Sequence, residues 1–510
     1  MMKKVVKHTV RCLKWLGIGI VALAALLTAY FYIGGIEWGD WTIPDEKELR
    51  LELRDVPDED NAYLALIALT NVYNVAGADV VRDGGDESGE ATDIEFTNGY
   101  VSPYESGERE ARVKRALDDP AAHERAERIL SENVRFFEAF RAALLRNGYL
   151  PKGDVVRLAP SVSILPPSCN FVRFAQLVAL KAQISLERGD ADSAVSDIRA
   201  IHALGRLVSS NVEGHTHCLI GRFIENVSCK KMCDAVAMGR VTPEHLEIFG
   251  GIAEECEVFA PTDHEMAIKV MFAEYAWNVE WFSAASGDSI YRHIDGCFGL
   301  KSQDTFAAHV KSAALRILWN WPGYAKFAIH PRETRWRIAE FARVAMGKEA
   351  LPEEFLPSRF YPNWLGEYAV DMSSCGFNAA NAYFKGDSLL RARARLVIAS
   401  EKWRRAHGGE NPPTLDALVP DYLAAVPADP WDKTGAPLKY DAASGVAWSV
   451  GRKGTYDYLK VAKDRTAGSE SSLDKDTQIY AFRIDGKPVE RRCSCAALSA
   501  INKTNRKGKE

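Results

Sequence analysis

A stretch of nineteen residues without a charged side chain, Trp15–Ile33 (WLGIGIVALAALLTAYFYI), limits most strongly what this chain can fold into. At about 1.5 Å rise per residue, a helix of that length nearly crosses the hydrocarbon core of a bilayer. The charged residues before the stretch are all basic and the first ones after it are acidic: Lys3, Lys4, Lys7, Arg11 and Lys14, then Glu37, Asp40, Asp45 and Glu46. Because basic flanks stay in the cytoplasm, we predict a cytoplasmic tail over 1–14 and an extracytoplasmic chain beyond the span.

The alternative interpretation of this stretch is a cleaved secretory signal, whose apolar region spans roughly 7–15 residues. The stretch here is longer, ends in aromatic residues and lacks a small-residue cleavage site. We therefore predict a retained signal-anchor in a single-pass protein of the inner membrane. The lipid bilayer is then a partner of the chain through Trp15–Ile33.

Length, charge and cysteine usage exclude several classes of protein. A chain of 510 residues exceeds what one hydrophobic core usually supports, so more than one domain is expected. The formal charge of -5 and a pI near 6.2 give no basic footprint, which argues against nucleic acid as a partner. Ten cysteines, nine of them after the apolar stretch, are too few for a disulfide scaffold.

The pattern beyond the apolar stretch predicts a mainly α-helical ectodomain. Residues 34–54 have the composition of a juxtamembrane linker, and helical periodicity dominates from 55 to 386 apart from an acidic, Gly-rich loop at 77–99. The helices predicted in this region include 243–259 and 263–286. Apolar residues recur at steps of three and four on both sides of Gly189-Asp190, which predicts an antiparallel helical hairpin. This unit resembles a tetratricopeptide-type repeat, although no second copy follows at the same period.

Two aromatic segments stand out in the helical region, YAWNVEWF (275–282) and WNWPGYAKF (319–327). Large aromatic side chains at helical spacing are typical of a core. The other hypothesis is a peptide- or glycan-binding groove, which would be lined by Tyr275, Trp277, Trp281, Trp319 and Trp321.

The sequence pattern changes in the C-terminal part, where it predicts a small α+β domain over 387–486. One amphipathic helix starts at Asp387 and stops at Gly408-Gly409, and a proline-rich segment, HGGENPPTLDALVPDYLAAVPADPWD, follows it. Short β-like runs come next (PLKYD, VAWSVG and TQIYAFRI), before a basic, flexible tail over 487–510. Each proline-bearing segment favours an extended chain that packs against the helix.

This order of elements resembles the periplasmic domain of the major pseudopilin of type II secretion systems. The landmarks that carry the resemblance are His407, Gly408, Pro413, Leu415, Leu418, Pro427, Asp429, Pro430, Trp431, Gly435, Pro437, Tyr440, Ser449 and Gly451. The resemblance implies a calcium site with Ser449, Asp474 and Asp476, but Lys453 stands where the family has an acidic ligand. The whole layout also resembles a class of single-span bacterial proteins with a helical ectodomain, which implies no particular activity.

A metal-binding interpretation rests on the segment GHTHCLIGRFIENVSCKKMC, which contains His215, His217, Cys218, Cys229 and Cys233. Cys229 and Cys233 are one helical turn apart, so both thiols and a nearby imidazole favour a soft ion such as zinc. Free cysteine is also a common small buried side chain, and the spacing differs from that of a zinc knuckle. The sequence favours the buried interpretation and predicts no cofactor.

The remaining hypothesis is an envelope hydrolase that uses acidic residues of a helix over 263–280. The residues that acid–base chemistry would need are Asp263, His264, Glu265, Glu274 and Glu280. The chain contains no nucleophile elbow, phosphate-binding loop or zinc-protease motif. We therefore favour a binding or scaffold protein of the cell envelope, with envelope proteins as partners, over an enzyme.

Overall fold

The computed structural model describes residues 2–43, 46–69, 120–146, 148–151, 170–211, 214–284, 317–348, 362–460, 480–487 and 489. Over these residues the protein is mainly helical, as predicted. The helices are α1 (Met2–Gly34), α2 (Ala62–Leu69), α3 (Pro120–Glu132), α4 (Val134–Leu144), α5 (Asn170–Arg188), α6 (Ala191–Ser210), α7 (His215–Ala237), α8 (Pro243–Ala284), α9 (Tyr324–Ala328), α10 (Pro331–Ala345) and α11 (Trp364–Ala406). The strands are β1 (Lys439–Asp441), β2 (Val446–Trp448) and β3 (Ala481–Arg483).

Helix α1 contains the uncharged stretch and is long and apolar enough to cross a membrane. Most of its apolar side chains are exposed, for example Leu23 and Leu26. A helix that presents apolar side chains all round is stable in water only when something covers it. Its last turns are different, because Phe31 is only 6% exposed and belongs to the main apolar cluster of the protein.

The segment predicted as a juxtamembrane linker contacts the helical body. It forms a short 3-10 helix, Glu46–Leu49, that packs against α8 and α10 and buries Leu49. Farther along, the backbone N–H of Arg54 donates to the side chain of Asn211 at 2.9 Å. Residues 34–54 are therefore docked where the structure describes them. The acidic loop predicted at 77–99 and nearly all of the tail predicted at 487–510 lie outside the described residues.

The predicted helical hairpin is confirmed as the pair α5 and α6. Gly189 adopts a positive φ of 84° between the helices, a conformation that glycine accepts without steric cost. Asp190 caps α6 by accepting from the backbone N–H of Ser193 at 3.0 Å. The two helices bury apolar stripes against each other and against α7.

Two predicted breaks between helices are wrong. The first was a division into helices over 243–259 and 263–286, but α8 continues through Pro261 as one helix. The second was the start of a helix at Asp387, because α11 runs without interruption from Trp364 to Ala406. Its residue Asp387 lies in the interior and pairs with Arg391 one turn later, so the Gly-Asp dipeptide is helical there and does not form a turn.

The C-terminal part of α11 carries a small antiparallel sheet in the order β1-β2-β3. Tyr440 pairs with Ala447, which pairs in turn with Phe482, so each predicted β-like run contains a strand. Apolar residues of α11 and of the chain that follows it share one cluster: Leu389, Ala392, Leu396, Ala399, Leu415, Leu418, Leu423, Leu438, Ala447, Phe482 and Ile484. The proline-rich segment thus packs against the helix that precedes it, as its sequence predicts.

Candidate functional site

The C-terminal end of α1 forms an aromatic contact with α9, which we call the α1–α9 junction (Thr28–Gly34 with Trp321–His330). The ring of Phe31 lies 4.9 Å from that of Tyr324 and 5.2 Å from that of Phe327, measured between ring centroids. All three side chains are buried. The pair with Tyr324 is edge-to-face, an arrangement that adds stability beyond the buried area, so α1 is joined to the helical body by packing as well as by the chain.

Polar contacts extend the junction on both sides of the aromatic rings. The indole N–H of Trp321 donates to the hydroxyl of Thr28 at 2.9 Å, and Nε2 of His330 lies 2.8 Å from the carbonyl oxygen of Gly34. Beyond the helix, the backbone N–H of Arg332 donates to Glu37 at 2.9 Å. Because residue numbers rise together on both sides, the chain from Trp321 to Arg332 runs beside α1 in the same direction.

His330 belongs to a buried polar cluster behind the junction. Its Nδ1 lies 3.2 Å from a carboxylate oxygen of Glu333, and its backbone N–H donates to the side chain of Asn363 at 2.7 Å. Burial disfavours the imidazolium, but the bonds to Glu333 and to the carbonyl of Gly34 raise the pKa of His330 above its ordinary value. Burial likewise opposes charge on Glu333, yet the bond to His330 and nearby Arg337 lower the pKa of Glu333. Both groups therefore favour their charged forms.

A second concentration of charge lies in the interior between α6, α7, α8 and α11. Arg222 is 1% exposed and donates to Glu225 at 2.7 Å, and its Nη2 lies 2.9 Å from Asp263. The same network contains Arg206, whose Nη1 lies 2.5 Å from Asp263, and the pair of Asp387 with Arg391. Burial opposes the charge of Arg222, but the three neighbouring carboxylates raise its pKa. The positive and negative charges of this network balance, and buried charges are stable only when they are paired in this way.

The residues of the hydrolase hypothesis lie on α8 but point to different partners. Asp263 belongs to the interior network, whereas Nε2 of His264 lies 2.8 Å from the side-chain oxygen of Asn381 on α11. Glu265 is half-exposed and pairs with Lys269 at 2.7 Å. Burial lowers the pKa of His264. The structure therefore uses these side chains in separate contacts, two of them with other helices and that of Glu265 within α8.

Farther along α8, the two other acids of this hypothesis also lie apart from one another. Glu280 is exposed and lies 3.7 Å from Arg335 of α10. A carboxylate oxygen of Glu274 lies near Gly214, which precedes α7. Ten residues of helix separate His264 from Glu274, about 15 Å along the axis. The described contacts do not bring Glu274 and Glu280 to His264.

The candidate ligands of the metal hypothesis are also separated, among the residues that the structure describes. Cys218 lies in the main apolar cluster, whereas Cys229 and Cys233 lie in a second one. Eleven residues of helix separate Cys218 from Cys229, which is about 16 Å. Burial raises the pKa of Cys218 to about 12, which opposes the thiolate that zinc requires. His217 is buried, and the side chain of His215 lies outside the described residues. Among the described side chains, no three His, Cys, Asp or Glu groups are placed to hold a metal ion.

One cluster of reactive groups was missed from the sequence. The thiol of Cys256 is hydrogen-bonded to Cys229 and lies 3.6 Å from Nδ1 of His202, whose Nε2 lies 3.5 Å from Glu255. The hydrogen bond to Cys229 and burial raise the pKa of Cys256 well above its ordinary value. Both thiols are buried, and the raised pKa keeps the thiol of Cys256 protonated within the core. These residues come from three helices, and no local spacing in the sequence signals their contact.

The proposed calcium ligands are only partly described. Ser449 is fully buried, and its hydroxyl donates to the carboxylate of Asp429 at 2.7 Å. Asp429 also accepts from the backbone N–H groups of Trp431 and Val450 at 2.9 and 2.7 Å, so it organises this turn. Asp474 and Asp476 lie outside the described residues.

The aromatic side chains of the proposed groove pack mainly against the core. Trp319 is buried, and Tyr275, Trp281 and Trp321 are partly buried against the main cluster. Trp277 is also half-buried. Their ring faces are thus used largely within the helical body, as expected for aromatic residues at helical spacing.

Comparisons of the chain with models of known protein families, with functionally characterised proteins and with solved structures find no match. The contacts of the chain itself are therefore the basis for a functional proposal. Among them the α1–α9 junction is the most informative, since it joins an apolar helix with exposed sides to a folded body with a buried core.

Proposed function

We propose that this chain is a single-pass membrane protein whose helical body lies outside the cytoplasm and acts as a binding or scaffold protein of a bacterial cell envelope. The α1–α9 junction is the observation that carries the proposal. Phe31 is part of the core of the body, and the carbonyl of Gly34 is bonded to His330. Removal of α1 as a cleaved signal would take these contacts away, which supports a retained anchor.

The orientation follows from charge. Basic residues precede the apolar stretch and acids follow it, and this asymmetry favours a cytoplasmic N-terminus in an inner membrane. The exposed apolar side chains of α1, such as Leu23 and Leu26, suit acyl chains as neighbours. With this orientation, the helical body would meet other proteins of the envelope.

The predicted α+β domain over 387–486, which we call the C-terminal module, supports a docking role within this proposal. A long helix with a proline-rich wrap and a three-stranded antiparallel sheet is compatible with the resemblance to a major pseudopilin. The hairpin of α5 and α6 is likewise compatible with a repeat-like helical body. We propose that the module binds or positions envelope partners. In a pseudopilin the N-terminal helix leads directly into this domain, whereas some 350 residues intervene here, so we do not propose assembly as a pilus subunit.

A scaffold role is favoured over hydrolysis by how α8 uses its charged residues. Asp263 compensates buried arginines, and His264 bonds to α11. A general acid or base must reach a substrate proton within hydrogen-bonding distance, and these two side chains instead face neighbouring helices. Their partners account for both residues through packing.

Topology and processing can be measured in one experiment. A reporter that is active only outside the cytoplasm, fused after position 60, should be active, and the same reporter should be silent when fused within 1–14. The intact mass of the purified protein should include α1. Replacing the five bases before the span with glutamine should reduce reporter activity, which serves as the matched control for orientation. A mature protein that starts after residue 34, or activity only from a cytoplasmic reporter, would refute the proposal.

Partners can be sought by crosslinking the full chain in intact membranes and identifying the proteins that co-purify. We expect recurrent envelope proteins. A chain that ends after Ala406, which lacks the wrap and the sheet, tests whether the C-terminal module makes those contacts. Loss of partners with retained folding of the helical body would support a docking role for the module.

A further inference from the structure

The segment 317–328 follows α1 closely and in the same direction. Trp321 bonds to Thr28, Tyr324 packs on Phe31, and His330 meets the carbonyl of Gly34. From Trp321 onward, the chain therefore runs beside the last two turns of the apolar stretch toward its C-terminal end. In sequence order, this part of the chain returns to the level of the apolar helix almost three hundred residues after leaving it.

The depth of the segment can be estimated from α1. Thr28 precedes Ile33, the last residue of the apolar stretch, by five positions, which is about 7.5 Å along a helix. Interfacial segments bury their apolar faces roughly 5–10 Å into the boundary between headgroups and acyl chains. If α1 spans the bilayer, Trp321, which is bonded to Thr28, lies at this depth.

The uncharged run of the segment and the apolar stretch of α1 end beside each other. The segment has no charged residue from 317 to 325 (ILWNWPGYA), a run that lies between Arg316 and Lys326. The side chain of Lys326 lies next to Gly35, just where the apolar stretch of α1 has ended. Lysine at the rim of an apolar segment extends its ammonium group into the headgroup region. The uncharged parts of the two segments thus end together.

The surface at this level is apolar and aromatic. Ile317 is 63% exposed, and Tyr32, Ile33, Ile36 and Trp38 around the end of α1 are exposed as well. Trp321 is half-buried, and its indole N–H is already satisfied by Thr28. A donor within the hydrocarbon boundary needs such an internal acceptor, because water is scarce there.

We propose that residues 317–328 form a lipid-binding surface that inserts beside α1 into the outer-leaflet boundary between headgroups and acyl chains. The inference rests on the proposed function, since it requires α1 to span the membrane. Lipid is favoured over a protein partner because the segment packs along the last turns of the apolar stretch of α1 and because the uncharged parts of both end side by side, at Lys326 and Gly35. The helical body is then held against the bilayer surface at two adjacent points.

The test uses the full chain in vesicles of phosphatidylethanolamine and phosphatidylglycerol, with a photoreactive phenylalanine analogue at single exposed positions. Position 317 should form lipid adducts at a yield within a few-fold of position 26 on α1. Val258 provides a matched control, because its side chain is aliphatic and 67% exposed. It lies twenty-two residues before Glu280 on α8, which is about 33 Å along the helix axis. Glu280 is the residue of α8 that contacts Arg335 of α10. Position 258 should give at least ten-fold less lipid adduct.

Depth gives a second, independent readout. Lipids with a diazirine near the glycerol should react mainly with position 317, whereas lipids with a diazirine at the chain end should react mainly with position 23. Leu23 precedes Ile33 by ten residues, about 15 Å, near the centre of the bilayer. Each variant should keep the thermal unfolding of the parent protein, which shows that the analogue does not disturb the fold.

The outcomes separate the two proposals. Lipid adducts at positions 23 and 26 but none at 317 overturn the inference and leave the anchor intact. Adducts of position 317 with a protein in native membranes, in place of lipid, also overturn it and identify a protein partner. If positions 23 and 26 give no lipid adduct, the spanning role of α1 fails and the lipid-binding surface fails with it.

Discussion

His330 connects the last carbonyl of α1 to the polar cluster behind the α1–α9 junction. Its two ring nitrogens face the carbonyl of Gly34 and the carboxylate of Glu333, while Glu37 adds negative potential nearby. The C-terminal end of a helix carries partial negative charge, so an imidazolium is well placed there. A single side chain thus makes the junction sensitive to protonation.

We expect the contribution of His330 to stability to depend on pH. The folded pKa is raised above the ordinary value of 6.5, so the stabilisation is fully present below that value and is lost as pH rises through the folded pKa. His330→Gln should therefore cost about 1 kcal/mol at about pH 5.5 and distinctly less at about pH 8.5. Thermal unfolding of the full chain in detergent at the two pH values measures the difference.

Glu333→Gln is the control for this prediction. It removes the carboxylate whose hydrogen bond raises the pKa of His330, so the pH dependence of His330→Gln should shrink in the double variant. An equal cost of His330→Gln at both pH values would contradict the assignment of a charged imidazole to the junction.

Arg222, unlike His330, does not lose its charge with pH, so neighbouring carboxylates must balance that charge permanently. It is 1% exposed and lies among the carboxylates of Glu225, Asp263 and Asp387. Removing one member of a buried ion network leaves the others uncompensated. The network therefore links α7 to α8 and α11 at the cost of sensitivity to substitution.

Arg222→Met should destabilise the protein by about 3–5 kcal/mol, as expected for breaking a buried ion pair. Arg128→Met is the matched control, since Arg128 is 63% exposed and lies 3.8 Å from exposed Glu124. It should change stability by less than about 1 kcal/mol. Chemical unfolding of both variants distinguishes them, and similar small effects would argue that the network is hydrated.

At the scale of elements, the crossing of α6 and α7 depends on two glycines. A Cβ at Gly221 would lie 2.7 Å from the backbone nitrogen of Ser209, and one at Gly205 would lie 2.8 Å from the carbonyl oxygen of Gly221. Such close approach of two backbones leaves no room for a side chain. These glycines therefore define the distance between the two helices.

Gly221→Ala should destabilise the protein by roughly 1–3 kcal/mol, because a methyl group there requires the backbones to separate. Gly251 offers a control within α8, where a Cβ would meet nothing within 4 Å. Gly251→Ala should stabilise by up to about 1 kcal/mol through helix propensity alone. Opposite signs in thermal unfolding are expected, and a stabilising Gly221→Ala would contradict the packing of α6 against α7.

At the scale of the whole molecule, α1 is divided between two environments. Leu26 is 68% exposed, whereas Phe31, little more than one turn later, is 6% exposed and lies within the main core. The helix thus changes from an exposed rod to a core element within about 7.5 Å. Helix α1 and the helical body thus form a continuous structure.

Phe31→Ala should therefore destabilise the helical body by about 3 kcal/mol, the usual cost of deleting a buried aromatic ring. Leu26→Ala, on the same helix, should leave the unfolding of the body unchanged, because its side chain does not contact the core. Near-ultraviolet circular dichroism of the full chain in detergent follows the body during heating. Equal effects of the two substitutions would contradict the junction.

Local features were predictable from the sequence because they depend on neighbouring residues. The apolar stretch, the hairpin turn at Gly189-Asp190 and the three strands follow from composition, periodicity and turn residues. Pro261 and Asp387 misled because each is a typical helix breaker or turn residue. Both are tolerated inside long helices whose other contacts outweigh the local preference.

The sequence alone determined that one helix is apolar enough to span a membrane, that the rest is mainly helical and that a small sheet follows α11. The tertiary structure alone decided which residues meet: Arg222 with Asp263 and Asp387, Cys229 with Cys256, and Phe31 with Tyr324. Periodicity specifies which side of a helix is apolar, but the partners of a buried charge or ring come from distant helices. Their identity depends on how those helices pack, which no local pattern encodes.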